Sequence, residues 1–177
     1  GLDVVVLERK SAEAAGHIAC GDAIKGSSSL PPAVDRGYVR RESFTNRGIE
    51  RGVFDAGETR LEVSLPTTGN VVDRKRFGEV LIEEAQRAGA EVHFDTVVRD
   101  VCQGEAADGG PAPVRGVEAV REGDPVTYRA PVTVDAAGAL SILQDRADFG
   151  GATFDTNVNY SQFCSAYREI VEVEEPV

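Results

Sequence analysis

The chain has 177 residues and a formal charge of −11, a length sufficient for one domain with its own core, since domains run from about 50 to 250 residues. So acidic a surface argues against nucleic acid as a partner, because phosphate backbones demand basic stripes. The apolar runs, Val4-Val5-Val6-Leu7 among them, fall far short of the roughly 20 residues that span a bilayer, and no signal peptide is visible.

Arginine carries nearly all the positive charge, Lys10, Lys25 and Lys75 being the only lysines. Acidity with arginine in place of lysine fits a protein working in molar salt, where a Debye length of about 3 Å screens the repulsion between carboxylates. Cys20, Cys102 and Cys164 are odd in number and without CxxC spacing. That pattern predicts a reducing cytoplasm, with neither a disulfide framework nor a metal site. The chain lacks methionine, and Gly1 opens straight into an apolar run, so the chain is expected to begin inside a domain.

Asp3 to Glu8 reads as a buried strand closing on an acid. Residues 11 to 32 are small, glycine-containing and serine-rich, a loop folded against a ligand with at most a short helix. Gly48 to Phe54 and Arg60 to Leu65 are strand-like, with a hairpin around Ala56-Gly57. A helix over 73–88 follows, with Asp73 as N-cap, an apolar face through Phe77, Val80, Leu81 and Ala85, and Gly89 at a left-handed C-cap. Glu91 to Phe94 and Thr96 to Val101 are the next strands, followed by a turn-rich loop over 103–113. Val114 to Val120 and Val126 to Val134 form a hairpin around Glu122-Gly123-Asp124-Pro125. A glycine turn at Asp135-Ala136-Ala137-Gly138-Ala139 and a last strand over Tyr167 to Val173 complete the series. His93 in its strand is expected to be structural; His17 lies in the loop that would face a cofactor.

Four segments carry chemistry. A strand ending in an acid is where a dinucleotide-binding βαβ unit grips the adenosine ribose, because a carboxylate offers acceptors to two adjacent hydroxyls. Glu8 holds that place, which would put the glycine loop before residue 1. Ala19-Cys20-Gly21-Asp22-Ala23 is a cysteine-glycine segment in the ligand loop. Arg74 opens the helix, where a cation is unfavourable unless an anion is near. The glycine turn at 135–139 permits close backbone approach to a phosphate.

In order and spacing these segments resemble the geranylgeranyl reductase family of FAD-dependent oxidoreductases, in particular its archaeal, halophile-like members, over most of the chain. The resemblance implies an α/β fold: a Rossmann-like FAD-binding domain of the glutathione-reductase/hydroxylase type with a β-meander insertion, truncated at both ends. Residues 1–145 would be a partial FAD-binding domain lacking its first strand and glycine loop, and 146–177 the start of a substrate-binding β-sheet. Glu8 and Arg9 would hold the ribose end, Val98 the adenine through its backbone, Asp135, Ala137 and Gly138 the pyrophosphate side, and Cys20 and Gly21 the flavin ring, with Arg74 reaching the cofactor. Cys20, beside the flavin, is the candidate catalytic residue.

The implied activity is reduction of C=C bonds in geranylgeranyl chains of archaeal membrane lipids, with FAD reduced by NAD(P)H or a ferredoxin-like donor. The implied setting is the cytoplasm, compatible with peripheral contact at the inner face of the cell membrane. Hydroxylases of the same class carry an aspartate-glycine pair in the last turn, where this chain has Ala137-Gly138 with the acid at Asp135. An FAD-dependent monooxygenase is the alternative enzyme. A third expectation is that these 177 residues alone are inactive, bind FAD weakly or not at all, and aggregate through unpaired strand edges.

Overall fold

The computed structural model of the chain describes residues 1–20, 22–25, 44–106, 110–138, 142–149, 161, 164–169, 172 and 174. The elements are β1 (Val5–Leu7), β2 (Ala23–Lys25), β3 (Phe44–Ala56), β4 (Thr59–Val72), α1 (Arg74–Arg87), β5 (Glu91–His93), β6 (Thr96–Gln103), β7 (Val114–Arg121), β8 (Asp124–Arg129) and α2 (Ile142–Arg146). They fall into two compact units, one of residues 1–15 and 85–164, the other of 16–84 and 165–177. The boundary lies within α1.

The first unit contains a parallel pair, β1 with β5, in the register Val5↔Glu91 to Leu7↔His93, and a three-stranded antiparallel meander, β6-β7-β8. Parallel pairing requires a long crossover, and residues 16–84 of the second unit lie in sequence between the two strands. Val117 and Ala119, two apart on β7, turn the same face inward and are buried beside the almost wholly shielded Thr96, as the two-residue period of a strand dictates. The β7–β8 turn is Glu122-Gly123, with φ 53° and 95°. Two left-handed residues between Arg121↔Asp124 partners give the primed hairpin whose twist matches its strands.

The second unit is a sheet of order β2-β4-β3 with the first part of α1. Its core is Val72 and Val80, 1% and 2% exposed, with Ile24 and Phe77 packed against them. The β3–β4 hairpin turns at Gly57-Glu58, between paired Ala56 and Thr59, with Gly57 at φ 73° donating its N–H to Asp55 Oδ1.

The helix forms as its sequence predicts. Asp73 Oδ1 accepts from the N–H groups of Lys75 and Arg76 at 3.0 and 3.1 Å, satisfying two of the orphan donors of the first turn. At the other end Gly89 (φ 101°) donates to Gln86 O and Ala90 to Ala85 O, the pair of bonds that defines a Schellman stop. The surface cation Arg76 bridges Glu83 and Glu79, first Glu83 and then Glu79 raising its pKa.

Several expectations need correction. The first strand is shorter than 3–8, and it is not buried: Val5 and Val6 are 46% and 39% exposed, because only β5 pairs with it among the described residues. The loop expected over 11–32 contains strand β2, paired with Ala23↔Val71 to Lys25↔Gly69; residues 26–43 lie outside the described residues. The strand expected to reach Val134 ends at Arg129, leaving Val132 and Val134 exposed. The last strand, expected over 167–173, is irregular backbone at 167–169, with Ile170, Val171 and Val173 outside the described residues. The short helix α2 was not expected from the sequence.

Candidate functional site

In the first unit the end of β1 is tied down by backbone bonds. Glu8 N–H donates to His93 O and Thr96 N–H donates to Glu8 O, both at 2.9 Å. The side chain bends back so that Oε1 accepts from Lys10 N–H at 2.8 Å. A carboxylate offers about four lone-pair sites, so this local bond leaves acceptor capacity for a sugar diol. Arg9 is exposed. Asp95, at φ 51°, joins the same corner, its N–H donating to Lys10 O. Two residues beyond Thr96, half-buried Val98 lies in β6 opposite Ala119, at a register shift before Asp100. Main-chain bonding thus joins the end of β1 at Glu8 to the start of β6, the strand that carries Val98. His93 is structural here: Nδ1 meets Tyr128 Oη at 2.8 Å and Nε2 lies 3.4 Å from Glu91.

The glycine turn forms as an Asx turn. Asp135 Oδ1 accepts from Ala137 N–H at 2.9 Å, and Gly138 follows at φ 78°; Ala137 and Gly138 are exposed. The aspartate of this turn therefore shapes the backbone, and the small exposed residues leave it open to close approach.

In the second unit Arg74 and Cys20 are in direct contact: Arg74 Nη2 donates to Cys20 Sγ at 3.1 Å. The guanidinium also lies 5.7 Å from the centre of the Phe77 ring, which links it to the core. Gly21 lies outside the described residues; His17 is exposed.

Sequence reasoning missed Asp22 and Arg168. Asp22, at φ 60°, accepts from Val72 N–H with its carbonyl. Its Oδ2 takes Arg168 Nη1, and its Oδ1 lies 3.9 Å from Arg74 Nε. These last two atoms are fully shielded and make no hydrogen bond. Two guanidiniums thus share one carboxylate beside a half-buried sulfur. A polar residue next to Cys20-Gly21 was the only sequence signal, and nothing local marks Arg168. Also missed was the approach of the loop to the helix at Gly16 and Gly78, where a Cβ on Gly16 would lie 2.7 Å from Gly78 Cα.

No family model matches the chain. It is 31% identical over 147 residues to the digeranylgeranylglycerophospholipid reductase of Methanocella arvoryzae, a match covering 80% of this chain and 34% of that protein. The chain therefore spans about a third of the length of that curated relative. Among solved structures it is similar to a geranylgeranyl bacteriochlorophyll reductase-like protein of Thermoplasma acidophilum, with a TM-score of 0.52 at 16% identity over 72% of this chain and 37% of that one. It is also similar to aklavinone-11 hydroxylase in a ternary complex with FAD and aklavinone, with a TM-score of 0.58 at 18% identity over 81% of this chain and 30% of that one. The chain is geranylgeranyl reductase-like in sequence, and its fold is that of part of a Rossmann-like FAD-binding domain with a β-meander.

Proposed function

We propose that this chain, similar over most of its length to a geranylgeranyl lipid reductase, is part of an FAD-dependent oxidoreductase that reduces C=C bonds of isoprenoid chains on archaeal membrane lipids. The observation carrying this reading is the alignment with the digeranylgeranylglycerophospholipid reductase over 80% of the chain. Within the first unit the groups suit parts of FAD: the Glu8 carboxylate keeps acceptor capacity for a sugar diol, and the exposed small residues of the 135–138 turn admit close backbone approach. Glu8 and Arg9 serve the ribose end, the Val98 backbone the adenine, and the Asp135–Gly138 turn the pyrophosphate side. Cys20 and Gly21 border the ring. Arg74, which donates to Cys20 Sγ, would reach the cofactor beside it, and its shielded Nε and Asp22 Oδ1 make no hydrogen bond. When bound, the flavin supplies two-electron reduction of a carbon–carbon double bond, and the protein supplies position and exclusion of water.

In this reading residues 1–145 belong to the FAD-binding domain and 146–177 begin the substrate-binding sheet. The electron donor is NAD(P)H or a ferredoxin-like protein, and the enzyme works in a salty cytoplasm, peripheral to the membrane. Among the described residues no helix is long and apolar enough to cross a membrane.

The test is product mass. Full-length enzyme supplied with FAD, reductant and a geranylgeranylated glycerophospholipid is expected to add one pair of hydrogens per double bond. The second reading, a hydroxylase, is favoured by the likeness to aklavinone-11 hydroxylase; it predicts one added oxygen instead, and that product would overturn the reductase.

Glu8 gives a separate check on the nucleotide site. Glu8→Gln keeps the shape and one acceptor but loses the charge, so FAD affinity of the full-length protein should fall about tenfold, the loss of one charge-assisted hydrogen bond. Titration of flavin fluorescence measures it, and unchanged affinity removes Glu8 from the site.

A further inference from the structure

We propose that Asp22 is a positioning residue for Cys20: one carboxylate that collects Arg74 from α1 and Arg168 from residues 164–169, and so fixes the guanidinium that donates to the cysteine sulfur. The mechanical chain is continuous. Asp22 is itself fixed by its backbone, with its carbonyl bonded to Val72 N–H at the core-facing end of β4. Its left-handed φ of 60° is tolerated by aspartate and few other non-glycine residues. From that anchored backbone the carboxylate reaches Arg168 Nη1 and stands 3.9 Å from Arg74 Nε, and Arg74 Nη2 reaches Cys20 Sγ.

Burial makes the arrangement matter. The side chains of Arg74, Asp22 and Arg168 are 14%, 18% and 21% exposed, so water cannot readily replace a lost partner. Two cations placed together with no shared anion would repel one another. Asp22 is what lets Arg74 and Arg168 occupy the same few ångströms, 94 residues apart in sequence. Without it Arg74 has reason to swing towards solvent, and the sulfur loses its donor. The importance of this for catalysis rests on the reading above, in which Cys20 borders the flavin; the clasp itself does not.

The experiment is site-resolved alkylation of the full chain by iodoacetamide, followed by peptide mass spectrometry, with half-buried Cys102 in β6 as the internal control. Asp22→Asn and Arg168→Gln should each raise the Cys20 rate about tenfold, the opening expected on loss of a part-buried charged bond, with Cys102 unchanged. Arg168→Lys, which keeps the charge, should return Cys20 to within about twofold of the parent rate. An unchanged Cys20 rate overturns the proposal. So does a Cys102 rate that rises in step, which would mean general loosening, and so does Arg168→Lys behaving like Arg168→Gln. FAD titration of the full-length enzyme, of which this chain is a part, keeps the two readings apart: no FAD binding with the expected labelling pattern defeats the flavin assignment alone, whereas FAD binding without that pattern defeats the clasp alone.

Discussion

Replacing Gly116 by alanine should lower stability by about 3 kcal/mol, the upper range for overpacking combined with backbone strain. Gly116 sits at a bulge: the register runs from Cys102↔Gly116 to Gln103↔Val114, leaving Arg115 as the extra residue. Its φ is 142°, a region that L side chains rarely adopt. A Cβ there would overlap the Tyr128 carbonyl oxygen and come within 2.8 Å of Arg129 Cα. Neither neighbour can yield by a side-chain rotation, because both are backbone paired in β8. The strand must therefore shift, and the shift would pull Tyr128 from His93, which it meets at 2.8 Å. Chemical denaturation gives the stability change, and hydrogen exchange at β8 amides shows where it falls. A midpoint within the scatter of surface substitutions would contradict this account of the bulge.

Gly78→Ala is expected to cost about 2 kcal/mol for the same reason in the other unit. Gly78 is buried in α1, and its added Cβ would strike the Cα and carbonyl of Gly16, which is itself held at φ 80°. In a helix alanine is favoured over glycine by up to about 1 kcal/mol, so the sign here tests tertiary contact against local propensity directly. Contact should win. Because Gly16 leads into the segment carrying Cys20, the substitution should also displace that cysteine. Gly57→Ala is the control: it has a positive φ of 73° with nothing within 4 Å of the added Cβ, so its cost should stay near 1 kcal/mol. If Gly78→Ala proves neutral or stabilising, the close approach of loop and helix is wrong.

Features whose causes lie within a few residues can be read from the chain directly. The helix was legible because Asp73, the apolar period and Gly89 all act within one or two turns of the bonds they make. The β7–β8 hairpin was legible because Glu122-Gly123 interrupts two alternating runs. The likeness to geranylgeranyl reductases was legible because the strand-acid, the Cys20 segment, Arg74 and the glycine turn stand in a fixed order. Long-range packing set the rest: the apolar run 4–7 is partly exposed, a strand forms at 23–25, and Gly16 and Gly78 approach too closely for either to carry a side chain. The same packing joined Asp22 to Arg168 across 146 residues. Burial, strand partners and ion pairs are set by groups far along the chain, and a local pattern contains no information about which distant group arrives.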